Sequence, residues 1–114
     1  MEKLVVFSFS LLPDKHLKEV KKEHGAFYDL IQSLRVASEL TIHQFLNKGE
    51  NGLKKIESDE AGIYNKIKNN KIKIDSKNTL YKFRFSQKYR CYCYKNNLLE
   101  HVLYIVYLDI KHEV

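Results

Sequence analysis

The chain has 114 residues, of which 44% are hydrophobic and 12% aromatic, including eight Tyr and six Phe. That is enough apolar mass for one domain, spanning 1–114, with a core of its own, and too much for an intrinsically disordered chain. The formal net charge of +6 suits a polyanionic partner, and no apolar run is long enough for a membrane-spanning helix.

The N-terminus, MEKLVVFSFSLLPDK, carries one apolar run flanked by an acid and a base. It lacks the cationic start and small-residue cleavage site of a secretory leader, so a strand from Leu4 to Leu11 is expected, with a degenerate signal peptide as the alternative. The expected location is therefore cytoplasmic. Pro13-Asp14 ends this run in a turn. Lys15 to His24 is charged, with Leu17 and Val20 three apart, and reads as a helical turn or a solvated loop.

Phe27, Leu30, Ile31 and Leu34, continued by Ala37 and Ser38, form the stripe of a helix with one buried face, predicted from Ala26 to Leu40. Thr41 and Gln44 have the spacing of a capping box, which predicts a short helix with Ile42, Phe45 and Leu46 inward, stopping by Gly49. Gly49 to Gly52 is a loop by composition. A final amphipathic turn or two, capped by Ser58 or Asp59, would turn Ile63, Tyr64 and Ile67 inward and end at Asn69-Asn70.

From Lys71 the hydrophobic period changes to two. Ile72 and Ile74 alternate with Lys71, Lys73 and Asp75, and Tyr81, Phe83 and Phe85 alternate with Lys82, Arg84 and Ser86. Gln87-Lys88 turns the chain into Tyr89 to Lys95, where Arg90, Tyr92 and Tyr94 share one face and Cys91 and Cys93 the other. After a turn at Asn96-Asn97, Val102 to Leu108 is apolar on both faces, as expected of a central strand covered by helices on one side and partly covered on the other. The predicted class is α+β: an N-terminal strand, two or three helices, then a three- to four-stranded antiparallel sheet with helices packed on one face.

The base is unevenly placed. Between Lys66 and Lys95 ten basic residues face one acid, a local charge of +9, while the rest of the chain has 10 bases against 13 acids and sums to −3. Lys82 and Arg84 on one strand, with Arg90 on the next, would put several cations within reach of one phosphodiester backbone. Tyr92 and Tyr94 would offer flat faces to unpaired bases, and Lys73, Lys88 and Lys111 would extend the track. The same pattern also arises from lysines solvated on an open sheet face. His112, in Asp109-Ile110-Lys111-His112, is a candidate proton-transfer group with a neighbouring carboxylate to hold its tautomer, or an exposed terminal imidazole. His16, His24, His43 and His101 read as surface residues. Cys91 and Cys93 read as two reduced, packed thiols, since a bridge across one intervening residue would strain the backbone. No metal-ligand set, phosphate-binding Gly loop or nucleophile elbow is present in the sequence, so no cofactor or metal is expected.

The strands YKFRFS (Tyr81 to Ser86), RCYCYK (Arg90 to Lys95) and LYIVYLDIKHEV (Leu103 to Val114) resemble the C-terminal half of RelE/ParE-type toxins of bacterial toxin–antitoxin systems. Members often end in a hydrophobic strand and a short motif with His or Arg, an acid and a terminal aromatic; Lys111-His112-Glu113-Val114 is similar but lacks the final Tyr. The resemblance implies a metal-independent endoribonuclease acting on RNA or ribosome-bound mRNA and neutralised by an acidic antitoxin protein, although other members poison gyrase. It further implies that Arg84 and Arg90 contact the scissile phosphate and that His112 moves protons. The alternatives are a non-catalytic RNA-binding module and a protein-interaction module of a phage or mobile element.

Overall fold

A computed structural model describes residues 2–57, 62–70, 72 and 79–111. In chain order the elements are β1 (Val6–Ser8), α1 (Asp14–Lys22), α2 (Ala26–Ala37), α3 (Ile42–Leu46), β2 (Lys54–Lys55), α4 (Ile63–Asn69), β3 (Leu80–Arg84), β4 (Arg90–Lys95) and β5 (Val102–Asp109). The five strands form one mixed sheet in the order β1-β5-β4-β3-β2. Strands β3, β4 and β5 make the expected antiparallel meander, β1 adds in parallel to β5, and β2 adds antiparallel to β3. The α+β class and the broad order, an N-terminal strand, helices and then the main strands, are those expected from the sequence; β2, a fourth helix and the parallel β1–β5 pairing are additions to it. Among the described residues no helix is long and apolar enough to cross a membrane.

Local chemistry accounts for most element boundaries. Proline cannot donate a backbone hydrogen bond but suits a helix start, and α1 begins directly after Pro13 with Asp14 in its first turn. The segment from Lys15 is thereby a helix as far as Lys22, with Glu23 and His24 in the turn that follows. Gly25 takes a left-handed backbone (φ 81°), a conformation cheap only for glycine, and reverses the chain between α1 and α2. The Thr41 hydroxyl accepts from the Gln44 amide while the Gln44 side chain accepts from the Thr41 N–H, so the capping box forms as the spacing predicted. The expected cap of α4 at Ser58 or Asp59 lies outside the described residues. Asn96 Oδ1 accepts from the amides of Leu98 and Leu99, which closes the β4–β5 turn.

Two apolar clusters lie on opposite faces of the sheet. On the first face Tyr81, Phe83, Phe85, Cys91, Cys93, Leu103, Ile105 and Leu108 meet Val20 of α1, Leu30 and Leu34 of α2, and Phe45 of α3. On the second face Leu80, Tyr92, Val106 and Tyr107 meet Ile63 and Ile67 of α4, with Ile56 and Ile72. Helices on one face are thus the rule for α1 to α3, whereas α4 crosses to the other. A bulge explains why two consecutive residues of β5 join the same cluster. Tyr92 pairs with Tyr107 but Cys93 pairs with Ile105, leaving Val106 as the additional residue, so Val106 and Tyr107 both turn toward α4.

The structure departs from several sequence expectations: α2 ends at Ala37 rather than Leu40, and Leu46, expected inward, is exposed. The buried stripe of α2 is Ala26, Leu30, Leu34 and Ala37, so Phe27, 56% exposed, and Ile31 face outward. Ala26, Leu30, Leu34 and Ala37 follow one another at helical spacing, and it is this stripe that joins the cluster on the first face of the sheet. His16 is 2% exposed rather than on the surface, with its ring centroid 4.5 Å from that of Tyr107 and Nε2 3.4 Å from the Asn70 side-chain nitrogen. It lies four residues before Val20, so the buried side of α1 consists of His16 and Val20 while Leu17 faces outward. The first strand is also shorter than Leu4 to Leu11, although Leu4 makes a single bridge to Thr41.

Candidate nucleic-acid interface

Alternation along a strand sends residues two apart to the same side, and residues directly opposite on neighbouring strands share that side. Lys82 and Arg84 of β3 therefore project together on the second face, the face α4 covers only in part. Lys54 of β2 lies directly opposite Lys82, and Arg90 of β4 directly opposite Arg84. All four line one recess of about 140 Å³, completed by Glu50, Gly52 and Phe83. The described lining thus carries four cations and one carboxylate.

The arrangement has an electrostatic cost. Like charges directly opposite across a ladder repel, and this corner contains two such pairs, Lys54 with Lys82 and Arg84 with Arg90. Asp109 of β5 stands opposite Arg90 on its other side and is buried, giving the corner an acidic neighbour. The Arg90 guanidinium also donates to the Gln87 carbonyl at 3.5 Å, which draws it toward the β3–β4 turn.

A second recess of about 600 Å³ adjoins the first where β3 runs beyond β2. The β2–β3 pairing ends at Lys54 and Lys82 because the preceding chain is held against α3: the Gly52 amide donates to the Gly49 carbonyl and the Leu53 amide to the Phe45 carbonyl. At Gly52 a side-chain carbon would come 2.7 Å from the Phe45 carbonyl oxygen, so only glycine permits this close passage. Phe45, Phe83 and Phe85 form an apolar floor, and Gln32, Asn51 and Gln87 are among the polar residues of the rim. Ser33 donates to the Phe85 carbonyl at 3.3 Å and ties α2 to this end of the sheet.

The candidate residues named from the sequence divide into groups. Lys82, Arg84 and Arg90 converge, as the strand pattern predicted. Tyr92 does not join them as a base platform. It is 2% exposed beneath α4, edge-on to Tyr107 at 6.1 Å, because an aromatic at the middle of the sheet is where Ile63 and Ile67 find their cover. Tyr94 is half-buried and stacks on Tyr104 at 5.1 Å, one strand over, and burial raises its phenol above the ordinary value. Lys88 is exposed in the β3–β4 turn and does not line the cationic recess. Lys111 is turned to α1, where it pairs with Glu19 at 3.2 Å, and so lies apart from the cluster. Lys73 and His112 lie outside the described residues.

Lys54 was missed by sequence reasoning. A two-residue strand shows no periodicity, and Leu53-Lys54-Lys55-Ile56 carries no turn or helix signal, so only the pairing with β3 reveals its place. Cys91 and Cys93 are free and fully buried, and burial pushes both thiols well above their ordinary range. Such thiols stay protonated and act as small apolar groups. Among the described residues no three His, Cys, Asp or Glu side chains gather as a metal site. No protein-family model, curated protein or solved structure matches the chain.

Proposed function

We propose that this chain binds single-stranded RNA, with the strand's phosphates held by Lys54, Lys82, Arg84 and Arg90. The observation that carries this reading is the two like-charged cross-strand pairs in one recess. Like charges placed opposite one another across a ladder disfavour each other, and a phosphate seated between them would make the same geometry favourable. A flexible single strand can bend its backbone into a recess, which a stiff duplex does less readily.

The reading extends to a toxin-like endoribonuclease, because Arg84 and Arg90 start from Cα positions roughly 4.5–5.5 Å apart and can address one phosphate together. In such a reaction the 2′-oxygen loses its proton and bonds to phosphorus, the bond from phosphorus to the 5′-oxygen breaks, and that oxygen takes up a proton. Two guanidinium groups would stabilise the extra charge of the pentacoordinate state. No metal is needed for that balance. The proton-transfer role expected of His112, and neutralisation by an acidic antitoxin protein covering the cations, belong to this extended proposal.

Fluorescence anisotropy with a labelled single-stranded RNA tests binding. Arg84→Ala/Arg90→Ala should weaken it about tenfold or more and flatten its salt dependence by about 0.7 in log–log slope for each phosphate that is no longer neutralised. Salt-independent binding, or none at low salt, would sink the RNA reading. For cleavage, induced expression should arrest growth with loss of RNA in the wild type but not in Arg84→Ala; indistinguishable strains would leave a binding module only.

A further inference from the structure

We infer that the recess of about 600 Å³ beside the cationic corner is a base-binding subsite, seating one unpaired nucleobase of the strand whose phosphate lies on Lys54, Lys82, Arg84 and Arg90. This rests on the RNA reading above and gives it a specificity element.

Three observations support the assignment. The two recesses adjoin, since Glu50, Phe83 and Arg84 line both. Their charges differ in the way the two parts of a nucleotide differ. The smaller recess is lined by four cations and one acid, and the larger by Lys48, Arg84 and Glu50 among otherwise neutral residues. A nearly neutral recess next to a strongly cationic one fits an uncharged base joined to an anionic phosphate.

The chemistry of the larger recess is the third observation. Its apolar floor of Phe45, Phe83 and Phe85 lies under a rim bearing the side-chain amides of Gln32, Asn51 and Gln87. An amide both donates and accepts, the combination that reads the edges of bases, and an apolar floor with a few polar groups is the usual anatomy of a small-molecule site. The main chain contributes as well. The Leu80 carbonyl accepts from the Ile56 amide, so the backbone groups of Leu80, Lys82 and Arg84 face the β2 edge. β2 pairing stops at Lys82, so those of Arg84 turn toward the recess mouth. The Ser33 bond to Phe85 fixes the opposite wall, so the subsite is formed before any strand arrives.

The test uses the whole chain and a set of short single-stranded RNAs of equal length differing at one central base. The wild type should rank the four bases, with about a fivefold or larger spread in Kd. Asn51→Ala and Gln87→Ala, both at exposed positions, should compress that ranking and leave the salt dependence intact. Lys54→Ala, which lines only the cationic recess, should lower the salt dependence and keep the ranking. Salt-dependent binding without any ranking, or a ranking unmoved by both amide variants, would overturn the subsite while leaving the RNA reading standing. Absence of binding to every RNA in the set would overturn both.

Discussion

On one side of the sheet Phe83, Cys91, Cys93, Leu103 and Ile105 disappear beneath three helices, whereas on the other a single seven-residue helix covers only part of the surface and leaves cations at its margin. The same three strands supply both sides. Alternation lets β3 place Tyr81 and Phe83 in the core and Lys82 and Arg84 toward solvent, so stability and charge are assigned to separate faces. The first face should therefore dominate folding. The second should tolerate substitution wherever α4 does not reach.

Truncation inside each cluster tests the difference most severely. Phe83→Ala removes a ring 5.3 Å from that of Phe45 and 5.7 Å from that of Phe7, and should cost about 3–5 kcal/mol of unfolding free energy in urea titrations. Ile67→Ala, in the smaller cluster under α4, should cost about 2–4 kcal/mol. If the second loss equals or exceeds the first, α4 is as central to the fold as α1 to α3, and the contrast between the faces fails.

The closed face also predicts a pH dependence of intermediate size. Burial raises the Cys91 and Cys93 thiols in the folded state, whereas in the unfolded chain they titrate near the ordinary value of 9.0. Below that pH both states hold these protons, and the preference is fully present. Above it the unfolded chain releases protons that the folded one keeps, so stability should fall by about 1.4 kcal/mol per pH unit for each thiol. Tyr81, raised chiefly by burial, adds to the decline above its ordinary value of 10.0. Denaturation midpoints at stepped pH should show this fall, and Cys93→Ala should make it shallower. A flat profile would mean that the thiols are not sealed beneath the helices.

The smallest effect is expected on the open face. Arg84→Thr removes one member of a like-charged pair and introduces a residue suited to strands, so its stability should stay within about 0.5 kcal/mol of wild type, on the stabilising side. A clear destabilisation in the same urea assay would make Arg84 a structural residue and weaken the case that its charge is held for a ligand.

How much of this was legible in the sequence depended on the range of the interaction involved. Period-two patterns named β3, β4 and their faces correctly, because alternation is a property of the extended backbone itself. The Thr41–Gln44 box was equally plain, being complete within four residues. In α2, by contrast, the sequence marks Phe27 and Ile31 as inward together with Leu30 and Leu34, and tertiary packing buries only Leu30 and Leu34 of the four. Tyr92 has the strand pattern of an exposed base platform, but α4 lies over it. His16 is buried by residues distant in sequence, among them Asn70 and Tyr107, the latter 91 positions later.

What the sequence determined alone was therefore local: the α+β class, the alternation that puts Lys82 and Arg84 on one side of a strand, and the turns that reverse the chain. The tertiary structure decided which patches of those faces stay open, added Lys54 from an element too short to show a period, and placed a near-neutral recess beside the cations. The physical reason is that propensity and capping act over a few residues, whereas burial and the meeting of like charges depend on strands distant in sequence coming within a few ångströms of each other.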